Sequence, residues 1–577
     1  MARSRDRVVS GDLSMLECAT VWHACRIRLR KLLGGATVSK QGWLTVEGGS
    51  APDRIGGVDM AARKPNFLFI ITDQHRADYL GCAGHPIVKT PNIDALAARG
   101  TRFDQFHVAT PVCMPNRASL LTGRFPSAHG LRYNGCDLTY RARTFVELLS
   151  EAGYRTAHIG KSHVQHMTSG APEARMPDLL AEAWKDQAED YGQEHPERYK
   201  GEELYKFKLP YYGYTHVDMV TGHGDQCDGH YTQWLRAKSQ DADAWRDPRN
   251  QLPHDYICPQ AVRTPIPEHL YPTAFIRDRA IDFIDSVKND DAPFFSFVSF
   301  PDPHHPFTPP GKYWDMYDPA DFSVPLPYEA HQNPTPPMKW LHERWKANKR
   351  VDQTPEAFMA NEREIREAMA LSCGMITMLD DAIGEVIAAL KRSGRYEDTV
   401  IIFNSDHGDY LGDYNLMLKG AIQLRSINNV SFIWSDPQDR NARLSHALAS
   451  TLDLAPTILA RAGVTPYFGM QGHNLLDVMD GEGKVRDAVM VEHQDNMTRM
   501  GFSEPCMVRT LVTHNHRLTI YKGEGWGELY DLQADPVESH NLWDDLAHMG
   551  LRLRLMEQLS QEMLGAVDQS PRAQYRA

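Results

Sequence analysis

Apolar segments of strand length, each followed by a cluster of polar residues, recur along this chain. The first covers residues 66–72 and is followed directly by Asp73 and Gln74. An unbroken apolar run of this length is typical of a strand buried on both faces of a parallel sheet. Further strand patterns cover residues 156–159, 294–300 and 399–404, and helical patterns between them cover residues 93–99, 145–152, 276–287 and 360–391. This alternation predicts an α/β fold with a large mixed, mostly parallel sheet sandwiched by helices.

The remaining segments suggest how the chain is divided. Residues 1–62 lack an apolar period and are rich in glycine near their end, so we predict a flexible extension or a mis-assigned start, with Met60 as an alternative first residue. A basic amphipathic arm at residues 24–33 is the functional alternative. Residues 63–485 form the predicted catalytic domain, in which residues 164–270 are an insertion that shapes the pocket. Residues 486–577 form a smaller α+β subdomain with a short antiparallel sheet, including residues 507–513 and 518–521, and a terminal helix.

Composition excludes several function classes. The formal net charge of −13 argues against nucleic acid as a partner. No apolar run approaches the ~18 residues that span a bilayer, so no membrane segment is expected. The nine cysteines form no C-x-x-C pair, and residues 16–33 are too basic for a secretory signal. We therefore expect a cytoplasmic protein.

The polar clusters at the strand ends predict a metal site. Asp73 and Gln74 follow the first run, and Asp406 and His407 follow the run at residues 399–404. Ligands of open α/β sheets lie beyond the carboxyl ends of the strands, so these residues are expected to converge. Two carboxylates, an amide oxygen and an imidazole can hold one divalent cation, either Ca²⁺ or, because of the nitrogen ligand, Mn²⁺.

Cys113 begins the run Cys113-Met-Pro-Asn-Arg117-Ala-Ser-Leu-Leu-Thr-Gly-Arg124. A helix that starts near Pro115 would return the Arg117 guanidinium toward Cys113. By itself the cysteine could equally be a buried structural thiol before a helix. The run resembles the C-x-P-x-R…T-G-R signature of the sulfatase family, in the alkaline phosphatase superfamily.

This resemblance implies a specific chemistry for Cys113. In sulfatases a formylglycine-generating maturation enzyme converts the cysteine to 3-oxoalanine (formylglycine), which also contacts the metal. The hydrated aldehyde attacks the sulfur of a small-molecule sulfate ester and forms a covalent sulfo-enzyme hemiacetal. The resemblance therefore implies an alkaline phosphatase-like fold and a sulfuric ester hydrolase. It also implies one divalent metal ion, which is bound by Asp73, Gln74, Asp406 and His407.

Other family elements follow in order, and each implies a role. The K-x-H element places Lys161 on the sulfuryl oxygens and makes His163 the base that resolves the hemiacetal. The P-H-x-P element selects His304 as general acid or oxyanion contact at the leaving group, with His305 capping the turn. Lys419 matches a second lysine that clamps the transferred group. Asn134 resembles a substrate-side amide of phosphonate monoester hydrolases, although Asn-Gly is also an ordinary turn.

Some positions depart from the common family pattern and leave alternatives open. Met114 and Asn116 stand where small residues are usual. Gln74 and His407 are closer to choline sulfatases and phosphonate monoester hydrolases, whereas those hydrolases usually lack the Lys161–His163 pair. A phosphonate monoester or phosphodiester hydrolase with the same nucleophile is therefore the alternative. An unmodified, non-catalytic binding protein is the alternative of another class.

The alcohol half of the substrate and the oligomeric state are not determined by the sequence. Aromatic residues of the predicted insertion could line the alcohol side or simply pack: Tyr211, Tyr212, Tyr214, His216, His223, His230 and Tyr231. Related enzymes often form homo-oligomers through C-terminal segments, so a homo-oligomer is the expected assembly if one forms.

Overall fold

The computed structural model describes residues 64–168, 190–350 and 357–576. The predicted extension at residues 1–62 and the middle of the predicted insertion lie outside the described residues. The region from Lys64 onward belongs to one unit, which also contains the predicted C-terminal subdomain. Within the described ranges, no helix is both long and apolar enough to cross a membrane.

A mixed sheet of nine strands organises the described part of the chain. The strands of this region, in chain order, are β1 Asn66–Thr72, β2 Thr101–Phe103, β3 Phe106–His107, β4 Arg155–Lys161, β5 His216–Thr221, β6 Asp228–Gly229, β7 Phe294–Ser299, β8 Phe358–Met359, β9 Thr399–Ser405, β10 Leu416–Met417, β11 Phe432–Ser435, β12 Arg443–Ser445, β13 Ala449–Ser450, β14 Val489–Gln494, β15 Met507–Val512, β16 His516–Tyr521 and β17 Gly527–Asp531. The order across the main sheet is β12-β2-β11-β9-β1-β7-β4-β5-β6. Its central strands β9, β1, β7, β4 and β5 are parallel, which confirms the predicted fold class.

Helices cover both faces of the main sheet. In the described ranges they are α1 Pro91–Ala97, α2 Cys113–Thr122, α3 Pro126–His129, α4 Phe145–Glu151, α5 His230–Lys238, α6 Ala242–Trp245, α7 Pro272–Val287, α8 Pro336–Lys346, α9 Glu362–Arg392, α10 Arg425–Asn428, α11 Leu454–Arg461 and α12 Met549–Gly565. The four predicted helices correspond to α1, α4, α7 and α9. Asn361 begins α9 with a capping box, in which its side chain and that of Glu364 each accept a backbone N–H of the other residue.

The apolar run of β1 is buried because its alternate side chains enter two different cores. Phe67, Phe69 and Ile71 pack into one cluster, whereas Leu68 and Ile70 pack into the cluster on the opposite face. All five side chains are fully buried. Successive side chains of a strand point to opposite faces, so a two-sided core requires apolar residues at every position.

The predicted insertion contributes a strand to the main sheet, which the weak period of this region did not indicate. β5 pairs in parallel with β4, where Ile159 lies opposite Asp218. Polar His216 and Asp218 are partly or fully exposed in the first half of β5, so the strand lacks the apolar run that marks β1. β6 pairs antiparallel with β5 at the edge of the sheet, and the remainder of residues 190–270 forms helices and turns.

A second, antiparallel sheet with the order β14-β15-β16-β17 lies in the predicted C-terminal subdomain. Leu555 and Leu559 of the terminal helix α12 pack on one face of this sheet against Leu511, Leu518 and Leu529. The short antiparallel sheet and the terminal helix therefore agree with the pattern of residues 486–577.

A buried histidine in β3 predicts how acid destabilises the fold. His107 is 3% exposed, and neither of its ring nitrogens has a hydrogen-bond partner among the described residues. Burial, followed by the charges of Arg425 and Arg486, lowers the pKa of His107 from 6.5 to about 3. The unfolded chain therefore takes up a proton as the pH falls below about 6.5, while the folded chain does not until about pH 3, so stability is lost across this window.

We expect His107→Leu to remove this part of the acid sensitivity. Between pH 6.5 and pH 5 the wild type should lose about 2 kcal/mol more of its free energy of unfolding than the variant does, from 1.36 kcal/mol per pKa unit. Urea unfolding at several pH values measures the difference. His446→Gln, at a largely exposed position, is the control and should behave as wild type. Parallel pH profiles for His107→Leu and wild type would contradict the prediction.

Candidate active site

The ends of four adjacent parallel strands bring the predicted site residues together. In the register of the sheet, Thr72 lies opposite Ser405, and Ile71 and Gly160 both lie opposite Ser299. The residues that follow these positions are therefore neighbours at one edge: Asp73 and Gln74 after β1, Asp406 and His407 after β9, Lys161 at the end of β4, and His304 shortly after β7. The sequence separations of these residues do not matter because the strand register aligns them.

Cys113 is the first residue of α2, and its side chain is 1% exposed. Its Sγ lies 3.0 Å from Nε2 of His407, 3.2 Å from Nζ of Lys419 and 3.8 Å from Oδ1 of Asp73. Burial is the largest influence on the Cys113 pKa and raises it. The charge of Asp73 raises it further, but the neighbouring positive groups, Lys419 first, outweigh both and hold the pKa below its ordinary value. The site is thus arranged to stabilise negative charge on the atom at this position.

Asn116, which departs from the family pattern, holds the start of α2 against the end of β9, where the predicted metal ligands Asp406 and His407 lie. It is fully buried, and its amide Nδ2 donates to the backbone carbonyl of Asp406. Its Oδ1 accepts from the backbone N–H of Ala109 at 3.1 Å and from the hydroxyl of Thr451 at 2.8 Å. The asparagine is therefore fully hydrogen-bonded in the core and positions Cys113 beside the end of β9.

Arg117 holds the two carboxylates of the predicted metal site in place. Its Nε donates to Oδ2 of Asp406 at 2.8 Å, and one Nη donates to Oδ2 of Asp73 at 3.3 Å. The other Nη donates at 2.8 Å to both the backbone carbonyl of Lys161 and the hydroxyl of Ser299. We predicted that the guanidinium would turn toward the nucleophile. Its charge acts on Cys113, and its donors are bound to the carboxylates and to strand ends, so Arg117 also orients the two carboxylates.

The donor set fits a divalent metal ion. Ligand atoms of Asp73, Cys113, Asp406 and His407 all lie within 4.8 Å of one another in the described structure. Nδ1 of His407 lies 2.9 Å from the carbonyl oxygen of Gly408, so Nδ1–H donates there and Nε2 faces the carboxylates, 3.6 Å from Oδ1 of both Asp73 and Asp406. A backbone acceptor on the far nitrogen is the usual support for a metal-bound imidazole.

Gln74 is held beside these ligands by its own contacts. Its backbone has a positive φ of 58°, and its N–H donates to Oδ1 of Asp406 at 3.1 Å. The side-chain Nε2 donates to Oδ2 of Asp409 at 2.5 Å, so the amide orientation leaves Oε1 facing the site. Oε1 accepts from Lys419 at 2.8 Å. Gln74 can thus offer an oxygen to a cation at this position.

Two buried lysines supply positive charge around Cys113. Nζ of Lys161 forms a short ion pair with Oδ2 of Asp73 and lies 2.5 Å from Nε2 of His223. Nζ of Lys419 donates to Gln74 and lies 3.0 Å from Nε2 of His407 and 3.1 Å from Nε2 of His304. Both lysines are less than a tenth exposed. Cations that are buried away from water stabilise an anionic group that contacts both of them far more than exposed cations would.

Three imidazoles form a stack next to Lys419. The ring of His304 lies 3.6 Å from the ring of His223 and 4.0 Å from that of His305, nearly parallel in both cases. Burial first, and then the neighbouring rings and Lys419, lower the pKa of His304 well below its ordinary value. Nδ1–H of His304 donates to the carbonyl oxygen of His305, so Nε2 accepts from Lys419. His304 is therefore a neutral acceptor here, and Nζ of Lys419 is the donor that its Nε2 faces.

His163 lies behind Lys161 and is positioned by its backbone. Its φ is +55°, so the chain leaves the extended conformation after β4 and the two side chains do not share a strand face as we predicted. The N–H of His163 donates at 2.8 Å to Oε2 of Glu194, and its ring lies 6.3 Å from the ring of His223. Burial, followed by Lys161, lowers the pKa of His163 well below its ordinary value, which leaves it free to accept a proton.

Asn134 lies at the exposed rim of the site. Its Oδ1 accepts from the backbone N–H of Met114 at 3.2 Å, which satisfies one of the free donors in the first turn of α2. Its carbonyl oxygen accepts from Nδ2 of Asn496 at 3.3 Å. The structure therefore places Asn134 next to Cys113 and gives it a structural contact.

Sequence reasoning missed several residues of this site. His223 was taken only as one of several aromatic residues in the insertion, yet it follows β5 as Asp73 follows β1, and that position was the available signal. His305 does not cap the turn: its Nδ1 lies 3.2 Å from Nε2 of Gln74. Asp409, which holds Gln74, and Glu194, which holds the backbone of residues 163–165, gave no signal in the sequence.

Known proteins are similar to this chain over most of its length. The arylsulfatase of Clostridium perfringens is 29% identical over 496 residues, which cover 83% of this chain and 90% of that protein. A multifunctional alkaline phosphatase superfamily protein, PehA of Trinickia caryophylli, is 28% identical over 514 residues, covering 85% and 93%. The crystal structure of the phosphonate monoester hydrolase of Agrobacterium radiobacter superposes with a TM-score of 0.69 at 25% identity and covers 88% of this chain and 97% of that one.

Two family patterns cover the described domain and the C-terminal region. The pattern of the family described as N-sulphoglucosamine sulphohydrolase, C-terminal, matches residues 426–564. The pattern of the family described as Sulfatase matches residues 65–464, well over half of the chain and all of the strand ends described above. On this evidence the chain belongs to the sulfatase family.

Proposed function

We propose that this sulfatase hydrolyses sulfate esters with a formylglycine nucleophile produced from Cys113 by a separate maturation enzyme. The contacts of Cys113 Sγ carry this proposal: one atom at a helix N-terminus lies between His407, Lys419 and Asp73. The hydrated aldehyde would supply the hydroxyl that attacks sulfur. Family membership and the sulfatase relatives support a hydrolase over the non-catalytic alternative.

The buried cations can bind and orient the sulfate group. Sulfate transfer builds charge on the nonbridging oxygens and on the leaving oxygen, so fixed positive groups must face both. Lys161 and Lys419 approach Cys113 from two sides and can donate to these oxygens. Arg117 keeps Asp73 and Asp406 in position, and the burial of all these groups excludes water from the reacting atoms.

The geometry suggests how protons move. Lys419 donates to Nε2 of His304, so these two residues form a pair from which the leaving oxygen can receive a proton. His163 is kept neutral by its lowered pKa and has an unpartnered Nδ1 among the described residues, so we propose it as the base that removes a proton when sulfate is released. We propose the Lys419–His304 pair, rather than His304 alone, as the group at the leaving oxygen.

The metal site would hold one divalent ion through Asp73, Gln74, Asp406 and His407. A bound divalent cation polarises the sulfuryl oxygens and supplies charge stabilisation in the transition state. Ca²⁺ takes oxygen ligands, whereas an imidazole is an ordinary ligand for Mn²⁺. The imidazole of His407, whose Nε2 faces the two carboxylates, therefore favours Mn²⁺, and metal analysis of the purified enzyme tests this choice.

The modification of Cys113 has a direct test. Mass spectrometry of the peptide that contains Cys113 should find an aldehyde in protein that was coexpressed with a maturation enzyme and is active. Peptides that contain Cys227 and Cys258 serve as controls and should keep their thiols, because neither cysteine begins a C-x-P-x-R run. An unmodified Cys113 thiol in fully active protein would contradict the proposed nucleophile.

Phosphonate monoester hydrolysis is the second candidate, favoured by the structural similarity to the hydrolase of Agrobacterium radiobacter. Lys161 distinguishes the two, because phosphonate monoester hydrolases usually lack such a Lys-His pair, whereas here Lys161 forms an ion pair with Asp73 beside Cys113. We expect kcat/KM to be higher for an aryl sulfate than for the matched aryl phosphonate monoester. A choline sulfate and sugar sulfate panel would then identify the alcohol half. A higher value for the phosphonate ester would reverse the assignment.

A further inference from the structure

A second cluster of metal-binding side chains lies in the C-terminal sheet. It consists of His493 at the end of β14, Asp495 just after that strand, and Cys506 just before β15. Ligand atoms of the three residues lie within 4.8 Å of one another. The antiparallel pairing of β14 with β15 produces this arrangement, because it places Gln494 opposite Met507 and so joins the ends of the intervening segment.

The contacts within this cluster leave coordinating atoms available. Sγ of Cys506 lies 3.1 Å from Oδ2 of Asp495, and Nε2 of His493 lies 3.5 Å from Oδ1 of the same carboxylate. Two ligand atoms of a tetrahedral zinc ion lie roughly 3.3–3.8 Å apart, as its bond lengths require. The side chains are therefore already close to the spacing of a zinc ligand set.

His493 provides an independent indication of a ligand. The residue is 2% exposed, yet Nδ1 has no hydrogen-bond partner among the described residues and Nε2 has only the 3.5 Å contact with Asp495. A buried polar atom without a partner carries a desolvation cost of about 1–3 kcal/mol, so such atoms are rare in native proteins. A metal bond to Nε2 would remove the cost at that nitrogen. The carboxylate of Asp495 keeps a 17% exposed side chain, which gives an ion a route from solvent.

We propose that His493, Asp495 and Cys506 bind a second divalent metal ion of the zinc type. A thiolate, an imidazole and a carboxylate are a common zinc ligand set, whereas Ca²⁺ and Mg²⁺ select oxygen ligands. Binding releases the proton of the Cys506 thiol to solvent and forms the metal–sulfur bond. The three protein ligands leave a fourth position for water.

The location of this ion would connect it to the active site. The segment that it closes, residues 496–505, is termed the rim loop here. Asn496 of the rim loop donates to the carbonyl of Asn134, and Met500 is 3% exposed and lies against Gly420, next to Lys419. The rim loop thus touches both sides of the catalytic pocket. A metal ion at its base would fix the wall that meets the alcohol half of the substrate.

Cobalt substitution tests the site directly, since a thiolate bound to Co²⁺ gives a charge-transfer absorption band. The full-length Cys113→Ala protein is used, so that the catalytic position contributes no thiol. After treatment with a chelator, titration with Co²⁺ should produce a thiolate–cobalt band, and Zn²⁺ should displace it. Zn²⁺ should also raise the melting temperature.

Variants assign the band to the proposed residues. Cys506→Ser should abolish it. Asp495→Asn should weaken metal binding by more than about 100-fold, because even outer-shell changes cost 10–100-fold. Cys258→Ser replaces another buried cysteine near a carboxylate, Glu367, and should retain the band. Circular dichroism checks folding. If Cys506→Ser does not fold, the partly exposed Asp495→Asn decides. Absence of the band in Cys113→Ala, or its full retention in Asp495→Asn, would overturn the proposal.

Discussion

Replacement of Cys113 by alanine is expected to lower kcat by roughly 10⁴- to 10⁶-fold, as when a nucleophile is removed from other hydrolases. The physical reason is that Lys419, His407 and Asp73 surround this one atom, and nothing else in the described site occupies the same position. Binding should change far less, because the cations that face the sulfate group remain. Steady-state kinetics on an aryl sulfate measure kcat and KM separately.

A second cysteine variant controls for loss of packing. Cys373 lies in α9 and is fully buried in an apolar cluster, so Cys373→Ala also deletes a buried sulfur. This control should lower the melting temperature but keep kcat close to that of the wild type. A loss of kcat in Cys373→Ala as large as that in Cys113→Ala would show that the effect is structural. Wild-type kcat in Cys113→Ala would exclude Cys113 as the nucleophile.

The second large effect is expected for Asp406→Asn. The change removes a negative ligand from the metal site and the carboxylate that accepts from Arg117 at 2.8 Å. Activity should fall by about 10³-fold or more, since a metal ion supplies several kcal/mol of charge stabilisation. The free energy of unfolding should also fall by about 3 kcal/mol, because the buried Arg117 loses part of its ion pairing. Kinetics, metal content and urea unfolding are measured on the same preparation.

Asp453→Asn is the control that separates the loss of activity from the loss of stability. Asp453 is also fully buried and accepts from Arg486 at 2.6 and 2.8 Å, but it lies outside the strand-end site. Its variant should lose a similar amount of stability while it keeps metal content and kcat. If Asp406→Asn retains wild-type metal content and activity, Asp406 is not a ligand. If Asp453→Asn loses as much activity as Asp406→Asn, the activity loss reports destabilisation alone.

Much of the fold was predictable because burial on both faces leaves a plain pattern. The central strands β1, β7 and β9 are rich in apolar residues, and helix α9 has a long amphipathic period. β5 was missed because its first half is partly solvent-exposed and polar. The division into domains, the cytoplasmic location and the roles of individual site residues stay predictions.

For the site, the sequence predicted which residues meet but not how they contact one another. Asp73, Gln74, Asp406 and His407 were predictable from their positions after strands. The binding of Arg117 to both carboxylates, and the neutral state of His304, depend on distances that local sequence does not encode.

The sequence by itself determined the strand ends, the Cys113 run and the family that they resemble. Those features follow from local periodicity and from short motifs, both of which involve residues that are near one another in sequence. The tertiary structure alone decided that His223 joins the site, that Nζ of Lys419 contacts Nε2 of His304, and that His493, Asp495 and Cys506 meet. These contacts join residues from different elements, and the register of the two sheets, rather than the nearby sequence, sets their distances.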